Sequence, residues 1–404
     1  MNAIEKTIYI ILGCMFLDCD ETYIKETYIK NNTSVSNTVF ERRLFEGFKK
    51  VCGENVVFFG APSVGWFPKN CKKLKVRGFT KIDNYYPIEY NASYLFSSFS
   101  KKRGFTKEIK KFFESHEINE TYRIIAVACE MHLPYLKTIK YLKRNFKNVS
   151  TVLFVPDLPD YNNRSSNFMY KILKKININS LYKTHEKYVD IDVLFSKEMK
   201  RLDTFKSKET IINEGLAPDY HSETNGIFNK KKRIVYIGKL DKRNGIELIS
   251  KAADLLPEYS FEVYGMPASD GLPKDFTFSK NVLVHGFVSP SLIPSILNQA
   301  DILLSPRFSS EEYTAFSFPS KMFDYLNCKK PIVTFKLDCY PEVLDNVFIY
   351  PKSENLDDFI SAIKYAADHP KVDEQLIDRF LKEKKSDNVV KRIIAKLEEK
   401  GNNL

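Results

Sequence analysis

Residues 302–333 constrain this chain more than any other stretch. An apolar run, Ile302-Leu303-Leu304, leads into a polar loop, and a second, Pro331-Ile332-Val333, closes the stretch. The loop carries two adjacent carboxylates, Glu311 and Glu312. Ser317-Phe318-Pro319-Ser320-Lys321 then opens a helix whose inner turn holds Asp324. A strand, a helix and a strand so closely joined belong in a parallel sheet with helices on its faces. The same layout holds phosphorylated ligands in α/β proteins.

The rest of the chain repeats this alternation. Apolar runs at 8–12, 56–59, 124–129, 149–155, 189–195 and 210–212 read as strands. Thr38 and Glu41 are spaced as a capping box for a helix with Phe40, Leu44, Phe48 and Val51 on one face. Further helical patterns cover 135–144 and 168–176, while the aromatic segment 61–100 predicts loop and short strands. Residues 215–232 are rich in Gly, Pro, Asn and Lys and mark a boundary. Beyond it, strands at 233–237, 261–264, 282–284 and 301–304 alternate with helices at 245–256 and 291–298, and helices at 356–367 and 388–398 follow. At 404 residues the chain exceeds one comfortable core. The prediction is α/β: two doubly wound domains, 1–217 and 218–385, and a helical tail, 386–404.

Lysine and arginine outnumber aspartate and glutamate by 62 to 51, a net +11, which suits an acidic partner such as a nucleotide or an anionic lipid. The seven cysteines form no C-x-x-C pair, so a zinc site or disulfide framework is disfavoured and a reducing cytosol fits best. Near the start, Leu12-Gly13-Cys14 faintly resembles a lipoprotein cleavage box. Its apolar run is too short for a signal core or membrane span, and Asp18 and Asp20 follow at once, so a buried first strand is the better reading. No G-x-G-x-x-G follows the first strand of either half, which disfavours a dinucleotide oxidoreductase.

The loop Gly238-Lys239-Leu240-Asp241-Lys242-Arg243-Asn244-Gly245 joins the second domain's first strand to its first helix. Gly238 permits a tight turn, Gly245 lets backbone approach a ligand, and Lys239 and Arg243 bring charge to the strand's carboxyl end. A helix starting at Ser317 to Ser320 would aim backbone N–H groups at an anion. Lys321 could add a charged contact, and Asp324 could accept hydrogen bonds from ribose hydroxyls. Glu311 or Glu312 could meet a sugar hydroxyl or steady an oxocarbenium charge. The plainer alternative is a solvated basic turn beside a serine-capped helix.

Taken in order and spacing, several segments together resemble the nucleotide-sugar domain of retaining GT-B glycosyltransferases, in particular the GT4 family and its capsule and exopolysaccharide members. They are Val235-Tyr236-Ile237-Gly238-Lys239-Leu240, Phe261-Glu262-Val263-Tyr264-Gly265, Val284-His285-Gly286-Phe287-Val288, Ala300-Asp301-Ile302-Leu303-Leu304-Ser305-Pro306 and residues 312–331. The resemblance implies two Rossmann-like domains facing across a cleft, with the last helix packing back on the first domain. It implies metal-independent transfer, with retention, from a nucleotide-diphosphate sugar to a saccharide or lipid-linked acceptor in surface polysaccharide or glycoconjugate synthesis.

By the same resemblance Lys239 and Arg243 contact the diphosphate, Phe287 and Val288 lie near the base, and Asp324 takes the ribose-binding position usually held by glutamate. Phe316 occupies the position of the family's first glutamate, so that role passes to Glu311 or Glu312, with Glu312 favoured. His132, after the strand 124–129, corresponds to a histidine near the reaction centre. Asp157 and Asp160, in Asp157-Leu158-Pro159-Asp160-Tyr161, resemble an acceptor-binding motif. Residues 101–111 read as a basic amphipathic helix, a surface that relatives turn to anionic membranes; the chain is then cytoplasmic and peripheral at the inner face of the membrane. A recognisable nucleic-acid module is lacking. Two alternatives from other classes are a non-catalytic nucleotide-sugar-binding partner and a nucleotide-sugar epimerase of the same fold.

Overall fold

A computed structural model describes residues 6–15, 35–77, 83–161, 168–220, 231–267, 272–273 and 275–401. Asp18, Asp20 and the boundary residues 221–230 lie outside these. The chain divides into two compact units, one of residues 1–216 with 386–404, the other of residues 217–385.

The first unit is built on β1 (Thr7–Gly13), α1 (Val35–Cys52), β2 (Val56–Gly60), β3 (Lys75–Arg77), β4 (Tyr85–Pro87), β5 (Glu89–Asn91) and α2 (Ser97–Ser115). It continues through β6 (Arg123–Ala128), α3 (Leu133–Asn145), β7 (Val149–Val155), α4 (Phe168–Tyr188), β8 (Ile191–Leu194), the single turn α5 (Asp203–Lys206) and β9 (Glu209–Ile212). Seven strands pair in parallel in the order β4-β2-β1-β6-β7-β8-β9, and β3 pairs antiparallel with β5. Strands such as β2 and β8 are buried throughout, as expected where helices cover both faces. The capping box is a correction. The helix starts at Val35, so Thr38 lies inside it, and Glu41 is buried, its carboxylate accepting from the Cys14 amide at 2.8 Å. A Cβ on Gly13 would stand 2.6 Å from Glu41 Oε2, so only glycine fits there.

The second unit contains β10 (Arg233–Ile237), α6 (Ile246–Leu255), β11 (Ser260–Tyr264), β12 (Val282–Gly286), α7 (Ile293–Asn298), β13 (Ile302–Ser305), α8 (Lys321–Asn327), β14 (Ile332–Thr334), β15 (Phe348–Ile349), α9 (Leu356–Asp368) and α10 (Glu374–Glu383). Its strands run in parallel in the order β12-β11-β10-β13-β14-β15. Residues alternate between two cores: Ile234, Tyr236, Ile302 and Leu304 pack with α6 and α9, while Val235 and Leu303 pack with α7, α8 and α10. The last helix, α11 (Ser386–Gly401), belongs to the first unit, where Val389, Val390, Ile393 and Leu397 share a core with Leu44, Phe45 and Phe48 of α1.

In both sheets the first strand is central and the order reverses beside it, between β1 and β6 and between β10 and β13. Loops leaving the carboxyl ends of such a pair diverge to opposite faces, and the crevice between them is where open α/β sheets bind ligands.

Candidate functional site

At the β10–β13 switch point Tyr325 of α8 ties the two strand ends together. Its hydroxyl accepts from the Ile237 amide at 2.9 Å and donates to the Leu304 carbonyl at 3.2 Å. The loop after β10 is held from below, since the Tyr236 hydroxyl donates to the Lys239 carbonyl at 2.7 Å. Asp241 Oδ1 accepts from the Asn244 amide at 2.9 Å and caps a short helical turn. Gly245 then takes a left-handed conformation, φ 71°, where a Cβ would lie 2.4 Å from the Pro306 carbonyl oxygen. The two loops are therefore locked to each other, and the Phe308 amide donates to the Arg243 carbonyl at 3.1 Å.

Three cations converge here. Arg307 lies with its guanidinium 4.6 Å from the ring centre of Tyr313, donating to the Ser317 carbonyl at 3.2 Å, and Arg243 lies 6.0 Å from the same ring. Lys321 reaches toward Gly238, its ammonium 4.1 Å from the Tyr236 ring centre and 3.6 Å from where a Gly238 Cβ would be. Burial, and secondarily Arg307, push the Lys321 pKa down to about 7, with Asp241 opposing. An anion entering this space would meet charge that the protein compensates only in part.

Glu311 and Glu312 part company. Glu311 Oε1 stands 3.8 Å from Arg243 Nε, inside the cationic group, whereas Glu312 is exposed at the start of a short helical turn. The helix starts at the end of the expected stretch, with Ser320 as its N-cap residue. α8 begins at Lys321, and the exposed Ser320, whose backbone is already helical at φ −55° and ψ −30°, makes no side-chain cap. Asp324 Oδ1 accepts from the Tyr220 hydroxyl at 2.8 Å, and Asn327 donates to the Tyr220 carbonyl at 2.9 Å. Lys239 is exposed on the same loop. Phe287, 64% exposed, and Val288 follow β12, two strands from the switch point or about 10 Å across the sheet. Arg307, Tyr313, Tyr236 and Tyr325 were missed in sequence. Arg307 follows the β13 strand end as Lys239 follows that of β10, and that symmetry was the available signal.

The first unit's switch point gathers a second polar cluster. His132 occupies the N-cap position of α3 without a side-chain capping bond, its Nδ1 enclosed and without a hydrogen-bond partner, 3.9 Å from Glu130 Oε1. Burial of that edge, with Lys101, lowers its pKa, so the ring is neutral. Tyr135 Oη is likewise enclosed and without a partner. The Glu41 carboxyl, pushed up to about 8 mainly by burial and by Glu130, stays largely protonated at neutral pH. Asp157 is exposed after β7, and Asp160 accepts from the Tyr182 hydroxyl.

The basic helix forms as α2, with one face turned inward. Lys101 is 8% exposed with its ammonium 4.7 Å from the Tyr90 ring centre, and Phe105, Ile109, Phe112 and Phe113 are buried in the first unit. The face of α2 that carries Phe105, Ile109, Phe112 and Phe113 is thus spent on the core. Exposed apolar residues cluster at its start: Leu95 and Phe96, just ahead of it, are 61% and 63% exposed, and Phe99, in its first turn, is 66% exposed. Among the described residues no helix is long and apolar enough to cross a membrane.

Residues 219–384 match the family described as Glycosyl transferases group 1. The putative teichuronic acid biosynthesis glycosyltransferase TuaH of Bacillus subtilis is 23% identical over 223 residues, covering 52% of this chain and 55% of that protein. The alpha-galactosylglucosyldiacylglycerol synthase of Streptococcus pneumoniae is 23% identical over 231 residues, covering 52% of this chain and 60% of that protein. These matches therefore span little more than half the length of either relative. Among solved structures, the pneumococcal O-GlcNAc transferase GtfA, in complex with UDP and GlcNAc, superposes with a TM-score of 0.55 at 12% identity, over 98% of this chain and 99% of that one.

Proposed function

We propose that this chain, a GT-B fold of two Rossmann-like domains in which residues 219–384 form a group 1 glycosyl transferase domain, is itself a retaining glycosyltransferase. Its donor is a nucleotide-diphosphate sugar, and its product is a glycosylated saccharide or lipid in surface polysaccharide or glycoconjugate synthesis. The observation that carries the reading is the convergence of Arg243, Arg307 and Lys321 on the Gly238 loop at the β10–β13 switch point.

In this reading the diphosphate lies beside the Gly238 loop, and its charge is met by Lys321, Arg307, Arg243 and Lys239. As the anomeric C–O bond to the diphosphate breaks, negative charge grows on the leaving group, and these cations stabilise it without a metal. The acceptor oxygen forms its bond on the same face, and its proton passes to the departing diphosphate. Glu311, steered by Arg243, faces the sugar and the developing positive charge; Ser320 borders the diphosphate. Asp324, oriented by Tyr220, takes ribose hydroxyls, and Phe287 and Val288 flank the base. His132, neutral, holds a hydroxyl of the donor sugar or acceptor, and Asp157 and Asp160 contribute acceptor contacts. Localisation is cytoplasmic, with peripheral membrane contact through the turn at Leu95, Phe96 and Phe99 flanked by Lys102 and Arg103.

The test is a transfer assay with a panel of nucleotide-sugars, scoring free nucleoside diphosphate and glycosylated acceptor together. Nucleotide-sugar binding without release of either would replace the transferase reading with that of a non-catalytic binding partner.

A further inference from the structure

We propose that the groove between α3 and α4 of the first unit binds a linear anionic glycan, and, resting on the transferase reading, that this glycan is the acceptor chain. The groove encloses about 570 Å³, and its charged lining is Lys137, Lys140 and Arg144 from α3 with Lys183 and Lys187 from α4. The spacing i, i+3, i+7 puts the first three on one face of α3, along about 10 Å of helix, and i, i+4 does the same for the other two on α4. Among the described residues, none of the five lies within ion-pair distance of a carboxylate, although neighbours such as Lys143 do, at 2.5 Å from Asp190. The Lys137 pKa is lowered, first by burial and then by Lys140 and Lys102.

The shape and lining select the ligand class. A row of uncompensated cations in a trough suits several charges borne by one chain, more than a single phosphate. A flat bilayer cannot enter a trough, and the exposed apolar residues suited to a membrane lie elsewhere, at Leu95, Phe96 and Phe99. Nucleic-acid grooves add aromatic stacking platforms. Here the Tyr188 ring is engaged by the ammonium groups of Lys140 and Lys187, at 5.5 and 5.8 Å from its centre. The groove also starts beside the right place, since Lys137 is little more than a helical turn from His132 at the carboxyl end of β6.

The experiment compares the wild-type chain with K140Q/R144Q/K183Q and with a control of equal net charge, K251Q/K364Q/K371Q, which neutralises exposed lysines of the second unit. The probes are polygalacturonate fragments, the same fragments fully methyl-esterified, phosphatidylglycerol vesicles and single-stranded DNA. At about 0.15 M salt the groove variant should bind polygalacturonate about ten-fold more weakly or worse, with a shallower salt dependence, and the control should match wild type. The neutral ester should bind none of the three proteins. Equal weakening in both variants would overturn the proposal, as would a groove-specific loss seen with vesicles or DNA but not with the glycan. Nucleoside diphosphate affinity, measured alongside, separates the two readings: it should be unchanged in the groove variant, and its absence in the wild type would defeat the donor site and leave the groove standing.

Discussion

The ammonium of Lys321 lies 4.1 Å from the ring centre of Tyr236, so a residue that starts α8 is held against the strand that starts the second unit. The ring attracts the cation, but burial costs it more and its pKa falls to about 7.

A bound diphosphate favours the charged lysine and raises its pKa again, so binding takes up a proton at pH values above about 7. Affinity for a nucleoside diphosphate should therefore be greatest below that value and fall as pH rises toward 9, a range in which the phosphate itself, with a pKa of about 6, is already ionised. Calorimetry at pH 8 in two buffers of different ionisation enthalpy should show proton uptake in the wild type and none in Lys321→Met.

Glu311 pairs with Arg243 and Glu312 is exposed, so the two carboxylates should differ in kinetics. Glu311→Gln should lower kcat by roughly ten- to a hundred-fold with little change in donor KM, because it removes charge felt most in the transition state. Glu312→Gln should stay within about two-fold of wild type, as surface substitutions usually do. Steady-state kinetics with both variants decides between them.

Glu41 gives the first unit a pH signature. Its folded pKa, about 8, lies above the ordinary glutamate value of 4.5, so the folded state holds a proton that the unfolded chain loses. Its contribution is full below pH 4.5 and is lost as pH rises through 8. Glu41→Gln should flatten that decline and raise the melting temperature at pH 8, while leaving it nearly unchanged at pH 4.5; thermal melts across the range measure both.

The exposed aromatic residues at the start of α2, Phe96 and Phe99, make the membrane contact testable apart from the buried helix face. Phe96→Ser/Phe99→Ser should abolish co-sedimentation with phosphatidylglycerol vesicles while keeping the melting temperature within about 2 °C, because both rings are more than three-fifths exposed. Lys101→Gln, by contrast, should alter stability before it alters vesicle binding.

The strand–helix alternation was legible because buried parallel strands read as continuous apolar runs, as in Val56-Val57-Phe58-Phe59 and Ile302-Leu303-Leu304. The loop around Gly238 was legible because Gly245 has a conformation and a neighbour that only glycine tolerates. Sequence gave no view of which lysines turn inward. Lys101 reads as one of a basic cluster, yet its helix rotates it onto Tyr90, because Phe105 and Ile109, one and two turns on, must face the core. The choice between Glu311 and Glu312 was equally hidden, since adjacent loop residues share every local signal and differ only in where Arg243 stands. Arg307 went unseen because its partner, Tyr313, comes from within its own loop.

The most direct test of the account is nucleoside diphosphate binding by wild type, Arg307→Ala and Lys321→Met, measured by calorimetry at pH 7 with the uridine, guanosine and adenosine forms. Loss of one charge-assisted contact costs about 1.5–3 kcal/mol, so each variant should bind the preferred nucleotide roughly ten-fold or more weakly, with melting temperatures close to wild type. Unchanged affinity in both variants would contradict a donor site at the β10–β13 switch point.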